Sequence, residues 1–158
     1  RGFFLEPYKS SFRKRLSQKP KFYFFDGGVV RALSKTLSVS LVESTYAFGD
    51  AFEHHVILEC FKLASYYQRE FKFSYIKTQN DVEIDLVIER PGRSILLIEI
   101  KSSTQVTPES LASFIKLSRD IEGAEAICLS RDLYPKIIEH IKVLPWREGL
   151  QRILIDKV

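Results

Sequence analysis

Two apolar runs separated by one turn constrain this chain more than any other feature. In Ile95-Leu96-Leu97-Ile98-Glu99-Ile100-Lys101, side chains that alternate across a strand put Glu99 and Lys101 on one face with Ile95 and Leu97. The opposite face is wholly apolar. In Val82-Glu83-Ile84-Asp85-Leu86-Val87-Ile88 the same alternation places Val82, Ile84, Leu86 and Ile88 on one face and Asp85, beside Glu83 and Val87, on the other. The sequence between them, Arg90-Pro91-Gly92-Arg93, is rich in turn formers, so the two runs are predicted to be antiparallel neighbours. Directly opposed residues share a face, and Asp85 therefore meets Glu99 only if Arg90 pairs with Ser94 around a three-residue loop, Pro91-Gly92-Arg93. A two-residue loop would turn the acids apart unless a bulge restored the register.

The rest of the pattern supplies a mixed architecture. Lys21-Phe22-Tyr23-Phe24-Phe25 reads as a short buried strand, and Asp26-Gly27-Gly28 as a turn into the helical stretch Val29 to Leu33. A long helix is predicted from about Asp50 to Gln68, with Phe52, Val56, Ile57, Cys60, Leu63, Ala64 and Tyr67 at helical spacing. Glu53 falls near the middle of its apolar stripe, flanked by Ile57, Cys60 and Ala64, where a carboxylate is costly unless paired, protonated or bound to a cation. Phe71 to Lys77 is a strand that precedes the two already described, making a three-stranded meander. Thr107-Pro108-Glu109 starts a second helix and Gly123 closes it. Ala124 to Ser130 is a further strand. A helix through Pro135 to His140, a short strand Lys142-Val143-Leu144 and a last helical turn around Leu150 complete the expectation.

Composition sets outer limits. A chain of 158 residues with 45% hydrophobic and 28% charged residues belongs with globular chains that build one real core. No window approaches the roughly 18 apolar residues of a membrane span, and the start lacks the apolar core of a signal peptide, so the expected setting is cytoplasmic with no membrane partner. Cys60 and Cys128 lie inside apolar runs without a companion at ligand spacing and are expected to be buried free thiols. The formal charge is +4, and seven basic residues (Arg1, Lys9, Arg13, Lys14, Arg15, Lys19, Lys21) stand against Glu6 before position 22. That arm suits contact with phosphates or an acidic partner, with Arg13, Lys14 and Arg15 as the nucleic-acid candidates. A start at Arg1 and the absence of Met point to a piece of a longer chain, with residues 1–45 as a basic arm, short strand and helix, and residues 46–158 as the core domain.

Asp85 and Glu99 offer hard oxygen ligands, and Glu53 a third, which suit Mg²⁺ or Mn²⁺ completed by water and substrate phosphate. Lys101, about 7 Å along the strand from Glu99, is placed to hold a scissile phosphate or orient the attacking water. The matching chemistry is metal-dependent phosphodiester hydrolysis. His54 and His55 are adjacent and cannot both face one metal on a helix, so they are read as surface residues. No Ser or Cys stands in a nucleophile elbow. Phe71, Phe73, Tyr75, Tyr66 and Tyr67 are assigned to the core rather than to base stacking.

At these residues the sequence resembles the PD-(D/E)XK nuclease superfamily. Gly49-Asp50-Ala51-Phe52-Glu53 looks like its helical Gly-x-x-x-Glu element, Glu83-Ile84-Asp85 like its central acid, and Ile98-Glu99-Ile100-Lys101 like its acid-x-lysine strand. Ile84 stands where the superfamily's name has proline. Lys21-Phe22-Tyr23-Phe24-Phe25-Asp26-Gly27-Gly28, followed by the helix and Val82-Glu83-Ile84-Asp85, is similar more narrowly to a domain of undefined function at the C-terminus of bacterial and archaeal AAA-type ATPases. The resemblance implies an α/β fold with a restriction-endonuclease-like core and an N-terminal extension. It also implies a magnesium-dependent nuclease site acting on DNA, an upstream ATPase in the same chain, and Lys116 as counterpart of a polar residue on the second helix. Alternatives are a non-catalytic nuclease-fold module that binds nucleic acid or regulates the ATPase, and a domain whose basic arm docks on an acidic partner. All of these are compatible with an oligomer.

Overall fold

The computed structural model describes residues 1–9 and 19–156. Its centre is the antiparallel meander β3 (Lys72–Lys77), β4 (Glu83–Glu89) and β5 (Leu96–Ile100), followed by β6 (Glu125–Ser130) parallel to β5. Among the described residues the sheet has eight strands in the order β2-β1-β3-β4-β5-β6-β8-β7, with β1 at Gly2–Pro7, β2 at Lys21–Phe24, β7 at Lys136–Ile138 and β8 at Ile141–Pro145. The fold is mixed α/β. Parallel β5 and β6 require a crossover, and the crossover carries a 3₁₀ turn, Glu109–Leu111, leading into helix α3 (Ala112–Arg119). Thr107 and Ser110 exchange side-chain to backbone hydrogen bonds, each 3.3 Å, at the start of that turn. Helix α1 (Gly27–Leu33), capped by the Asp26 carboxylate on the Gly28 N–H at 2.7 Å, and helix α2 (Tyr46–Tyr66), capped by the Thr45 hydroxyl on the Phe48 N–H, precede the meander. The chain closes on helix α4 (Trp146–Leu150), continued by a π-helical turn, Gln151–Ile155.

Two apolar layers flank the sheet. Val56, Ile57, Cys60 and Ala64 of α2 pack on Leu86, Ile88, Leu96, Ile98 and Ile100, while Leu111, Phe114, Ile115 and Leu117 from the α3 segment pack on Val87, Leu97 and Cys128 across the sheet. Both faces of β4 and β5 are thus covered, which is why these strands are nearly continuous apolar runs broken only by their acids. Cys60 and Cys128 are buried free thiols, as expected from their apolar context.

The β4–β5 register is the one that lets Asp85 and Glu99 share a face: Leu86 faces Ile98, Val87 faces Leu97 and Ile88 faces Leu96, and the same register extended sets Arg90 opposite Ser94. Arg93 N–H donates to Arg90 O at 3.1 Å across Pro91-Gly92, and Gly92 sits at φ +71. Proline supplies the fixed φ of the second turn position and glycine the positive φ of the third. Gly92→Ala, with open space around the added methyl but a strained backbone, should cost about 1–2 kcal/mol and lower Tm by roughly 2–8 °C. A thermal melt checks it, and an unchanged Tm would mean that the loop relaxes freely.

Four expectations are corrected. Gly2–Pro7, read as part of a basic arm, is a strand inserted between β2 and β3, with Leu5 fully buried. The predicted helix from Pro135 to His140 is the strand β7, because Glu139 adopts φ 53 and turns the chain into an antiparallel pair, Ile138 against Ile141. Short apolar runs fit either period, and here burial alternates, with Ile138 inside and Ile137 exposed. Tyr66 is 80% exposed at the end of α2 and Tyr67 is also exposed, so neither joins the core with Tyr75. Finally, Ile84 does not share a face with Leu86: Ser74 pairs with Val87 but Ile76 with Ile84, so Asp85 and Leu86 together oppose Tyr75 in a β-bulge. Ile84 consequently packs in the α3-side layer and Leu86 in the α2-side layer.

Candidate metal centre

The bulge sits at Asp85, and that placement explains the site. On β5 the Lys101 N–H continues the ladder to Leu129 O of β6 at 2.9 Å, so the preceding Ile100 N–H points towards β4. There it meets not a main-chain carbonyl but the Asp85 carboxylate, Oδ2 accepting at 2.8 Å. The side chain takes over where the bulged strand leaves the ladder. Asp85 and Glu99 are each 9% exposed, in a cleft of about 530 Å³ that is also lined by Glu53, Lys101 and the start of α2 at Thr45, Tyr46, Gly49 and Asp50.

Four carboxylates converge at this end of the sheet. One oxygen from each of Glu53, Glu83 and Asp85 lies within 4.8 Å of the others. Glu99 joins from β5, with Oε1 accepting from Lys101 Nζ at 3.0 Å and Oε2 buried without a partner. Burial drives Asp85 well above the ordinary carboxylate range, and the charges of Glu99 and then Glu53 push it further. Glu53 and Glu99 are raised as well, by burial first; Lys21 and the Tyr23 hydroxyl oppose the rise at Glu53, and Lys101 opposes it at Glu99. Burial alone would lower Lys101, but Glu99 and Asp85 outweigh it and hold the ammonium above its usual value.

Such a cluster fits a hard divalent cation. The buried Glu99 Oε2 is an acceptor without a protein donor among the described residues, and orphans of this kind cost about 1–3 kcal/mol. Asp85 keeps Oδ1 beyond its bond to Ile100. Oxygen-only ligands select Mg²⁺ or Mn²⁺ over softer-site metals. Asp85 and Glu99 would hold the ion, with Glu53 within reach of it.

Of the residues singled out from sequence, Glu53, Asp85, Glu99 and Lys101 come together in one cleft. Lys116 lies on the exposed face of α3 and does not line it. Arg13, Lys14 and Arg15 lie outside the described residues. His54 is not simply a surface residue, because its Nε2 lies 2.6 Å from Phe24 O and ties α2 to β2, whereas His55 is exposed.

Sequence reasoning missed Lys21 and Tyr23. Lys21 pairs with Glu83 and its ammonium lies 4.7 Å from the centre of the Tyr75 ring, while Tyr23 O–H donates to Glu53 Oε1 at 3.3 Å. Burial keeps Lys21 below the ordinary lysine value despite the pull of Glu53 and Asp85. The available signal was alternation in Lys21-Phe22-Tyr23, which puts the lysine on the same face as a tyrosine buried against α2. Glu83 was visible from sequence as a neighbour of Asp85 but had no role.

No curated protein and no solved structure matches the chain. Residues 48–148, which run from the first turn of α2 into α4 and contain Glu53, Glu83, Asp85, Glu99 and Lys101, match the family described as Domain of unknown function (DUF4143). The chain belongs to that family.

Proposed function

We propose that this protein is a metal-dependent phosphodiesterase of the restriction-endonuclease type, acting on DNA. The observation that carries the reading is the buried pair Asp85 and Glu99, with an unpartnered Glu99 oxygen beside Lys101 at the mouth of a strand pair. The order of α2, antiparallel β3-β4-β5, α3 and parallel β6 agrees with the core that the nuclease resemblance implies, and the bulge at Asp85 is the kind of irregularity that re-aims a side chain at a site.

The residues divide the work as follows. Asp85 and Glu99 would hold the cation, and Glu53 would accept from a water in the cleft or join as a ligand. Mg²⁺ or Mn²⁺, when bound there, would supply Lewis acidity towards a phosphodiester oxygen and a more acidic water. Lys101, fixed by Glu99, presents a positive charge where negative charge develops on the phosphate. The start of α2 lines the cleft at Thr45, Tyr46 and Gly49, and the partial positive charge at the N-terminus of this 21-residue helix favours an anionic substrate. The basic residues before position 22 extend that preference to a polyanion. Residues upstream of this segment would carry the AAA-type ATPase.

The test is calorimetry with Mn²⁺ and Mg²⁺, followed by cleavage of plasmid and linear DNA with and without chelator. Heat of binding and chelator-sensitive cutting are the expected results. No heat at millimolar metal would sink the hydrolase reading. It would leave the second one, a binding module that regulates an attached ATPase. The observation favouring that module is the run of exposed apolar residues Leu37, Val39, Leu41, Val42 and Tyr46, leading to the cleft.

A further inference from the structure

We propose that the Lys21 ammonium is a resident cation of this site. It fills the position between Glu53, Glu83 and Asp85, so that a divalent ion is admitted at the Asp85 and Glu99 position alone. The inference rests on the metal-site reading above and adds a residue that lies 62 positions from its partner and on another part of the sheet.

The geometry starts with the acids. Three carboxylate oxygens within 4.8 Å of one another form a pocket of negative charge that a divalent ion could enter as readily as the Asp85 and Glu99 pair. Lys21 reaches one of these acids directly, its ammonium paired with Glu83 and lying 4.7 Å from the centre of the Tyr75 ring, and the charges of Glu53 and Asp85 act on it as well. A lysine ammonium is a compact point charge, the side chain closest to a small ion in this respect.

Lys21 is also held in place by its backbone. It pairs with Leu5 of β1, the preceding chain is tied down by Tyr75 O–H donating to Lys19 O at 2.6 Å, and Phe24 further along β2 contacts His54 of α2. The ammonium rests over the Tyr75 ring, opposite the bulge that re-aims Asp85. The hairpin of β1 and β2 is therefore a part of the site, and Lys21 acts as a positioning residue that sets how many ions the acids take.

Mn²⁺ titration of the whole chain by calorimetry distinguishes the alternatives. The wild type should take a single ion; Lys21→Met and Lys21→Gln should each take a second, weaker one; Lys21→Arg should keep the wild-type count. Adding Glu83→Gln to Lys21→Met should remove the second ion, which a merely structural role for Lys21 would not produce. A wild type that takes two ions, or Lys21 variants with the wild-type count, overturns the proposal. If the wild type takes none but Lys21→Met takes one, the role of Lys21 stands and the single-ion hydrolase reading falls; no ion in either overturns both. Should Lys21→Met be unfolded without metal, recovery of its melting transition on adding Mn²⁺ supports the proposal and lack of recovery overturns it.

Discussion

Asp85→Asn should abolish metal binding and, in the metal-free protein, raise the melting temperature. The first effect follows from the loss of a carboxylate that lies beside Glu53 and Glu83 and is acted on by Glu99: a drop in Mn²⁺ affinity of at least about 100-fold is expected when a ligand of this kind becomes an amide. The second follows from burial. Asp85 is held in a site that favours its neutral form, because burial and the charges of Glu99 and Glu53 all act against ionisation. Asparagine keeps the shape and can still accept from the Ile100 N–H, so the variant sheds a buried charge without losing its hydrogen bond. Relief of about 1–3 kcal/mol corresponds to a rise in Tm of roughly 2–4 °C per kcal/mol for a chain of this size.

The pH dependence has a definite sign. A carboxyl whose folded pKa lies above its unfolded value binds more protons in the folded state between the two, so stability falls as pH rises from the unfolded value to the folded one, and is level above it. For Asp85 the window opens near 3.8 and closes well above it. The metal-free wild type should therefore lose stability across that interval, and Asp85→Asn should lose less, the remaining slope coming from Glu53 and Glu99. Calorimetry and thermal melts against pH read all of this. An unchanged Mn²⁺ isotherm, or a variant less stable than the wild type at neutral pH, would remove Asp85 from the centre of the site.

Lys101→Met is expected to slow phosphodiester cleavage by about 10²–10³-fold at saturating metal while leaving an ion bound. Methionine retains most of the side chain's volume, so the loss is one of charge. It has a second signature, because Lys101 is the partner that restrains the rise of Glu99. Without the ammonium, Glu99 moves further up and stays protonated to higher pH, and since a protonated acid does not bind metal, the pH at which Mn²⁺ affinity sets in should shift upward. Single-turnover cleavage and Mn²⁺ titrations at several pH values separate the two effects. A cleavage rate within a few-fold of wild type, together with a shifted binding profile, would make Lys101 a counter-charge for Glu99 and nothing more.

Much of the central sheet was legible because it is written in neighbouring residues. Strand alternation, the Pro91-Gly92 turn and the helical spacing around Glu53 are short-range properties. Together they led to the β4 and β5 pairing, the meander and the convergence of Asp85 with Glu99 and Lys101. Alternation fails where the backbone breaks its own period: strict counting puts Ile84 with Leu86, and the bulge opposite Tyr75 separates them. Nothing in Val82 to Ile88 marks the extra residue, since it arises from how β3 lies against β4.

What the sequence by itself determined is the set of local elements in the centre of the chain and the acids that ride on them. Turn chemistry and periodicity act over a few residues, and burial of both sheet faces makes Asp85 and Glu99 stand out as acids within the apolar runs of β4 and β5. Only the tertiary structure decided the rest: that Gly2–Pro7 is a strand beside β3, that Ile137 and Ile138 turn into β8 instead of winding into a helix, and that Lys21 completes the acidic cluster. The physical reason is distance along the chain. Pairings such as Glu6 with Ser74, or Lys21 with Glu83, are fixed by which surfaces remain uncovered once the sheet has formed, and no short stretch of sequence carries that information.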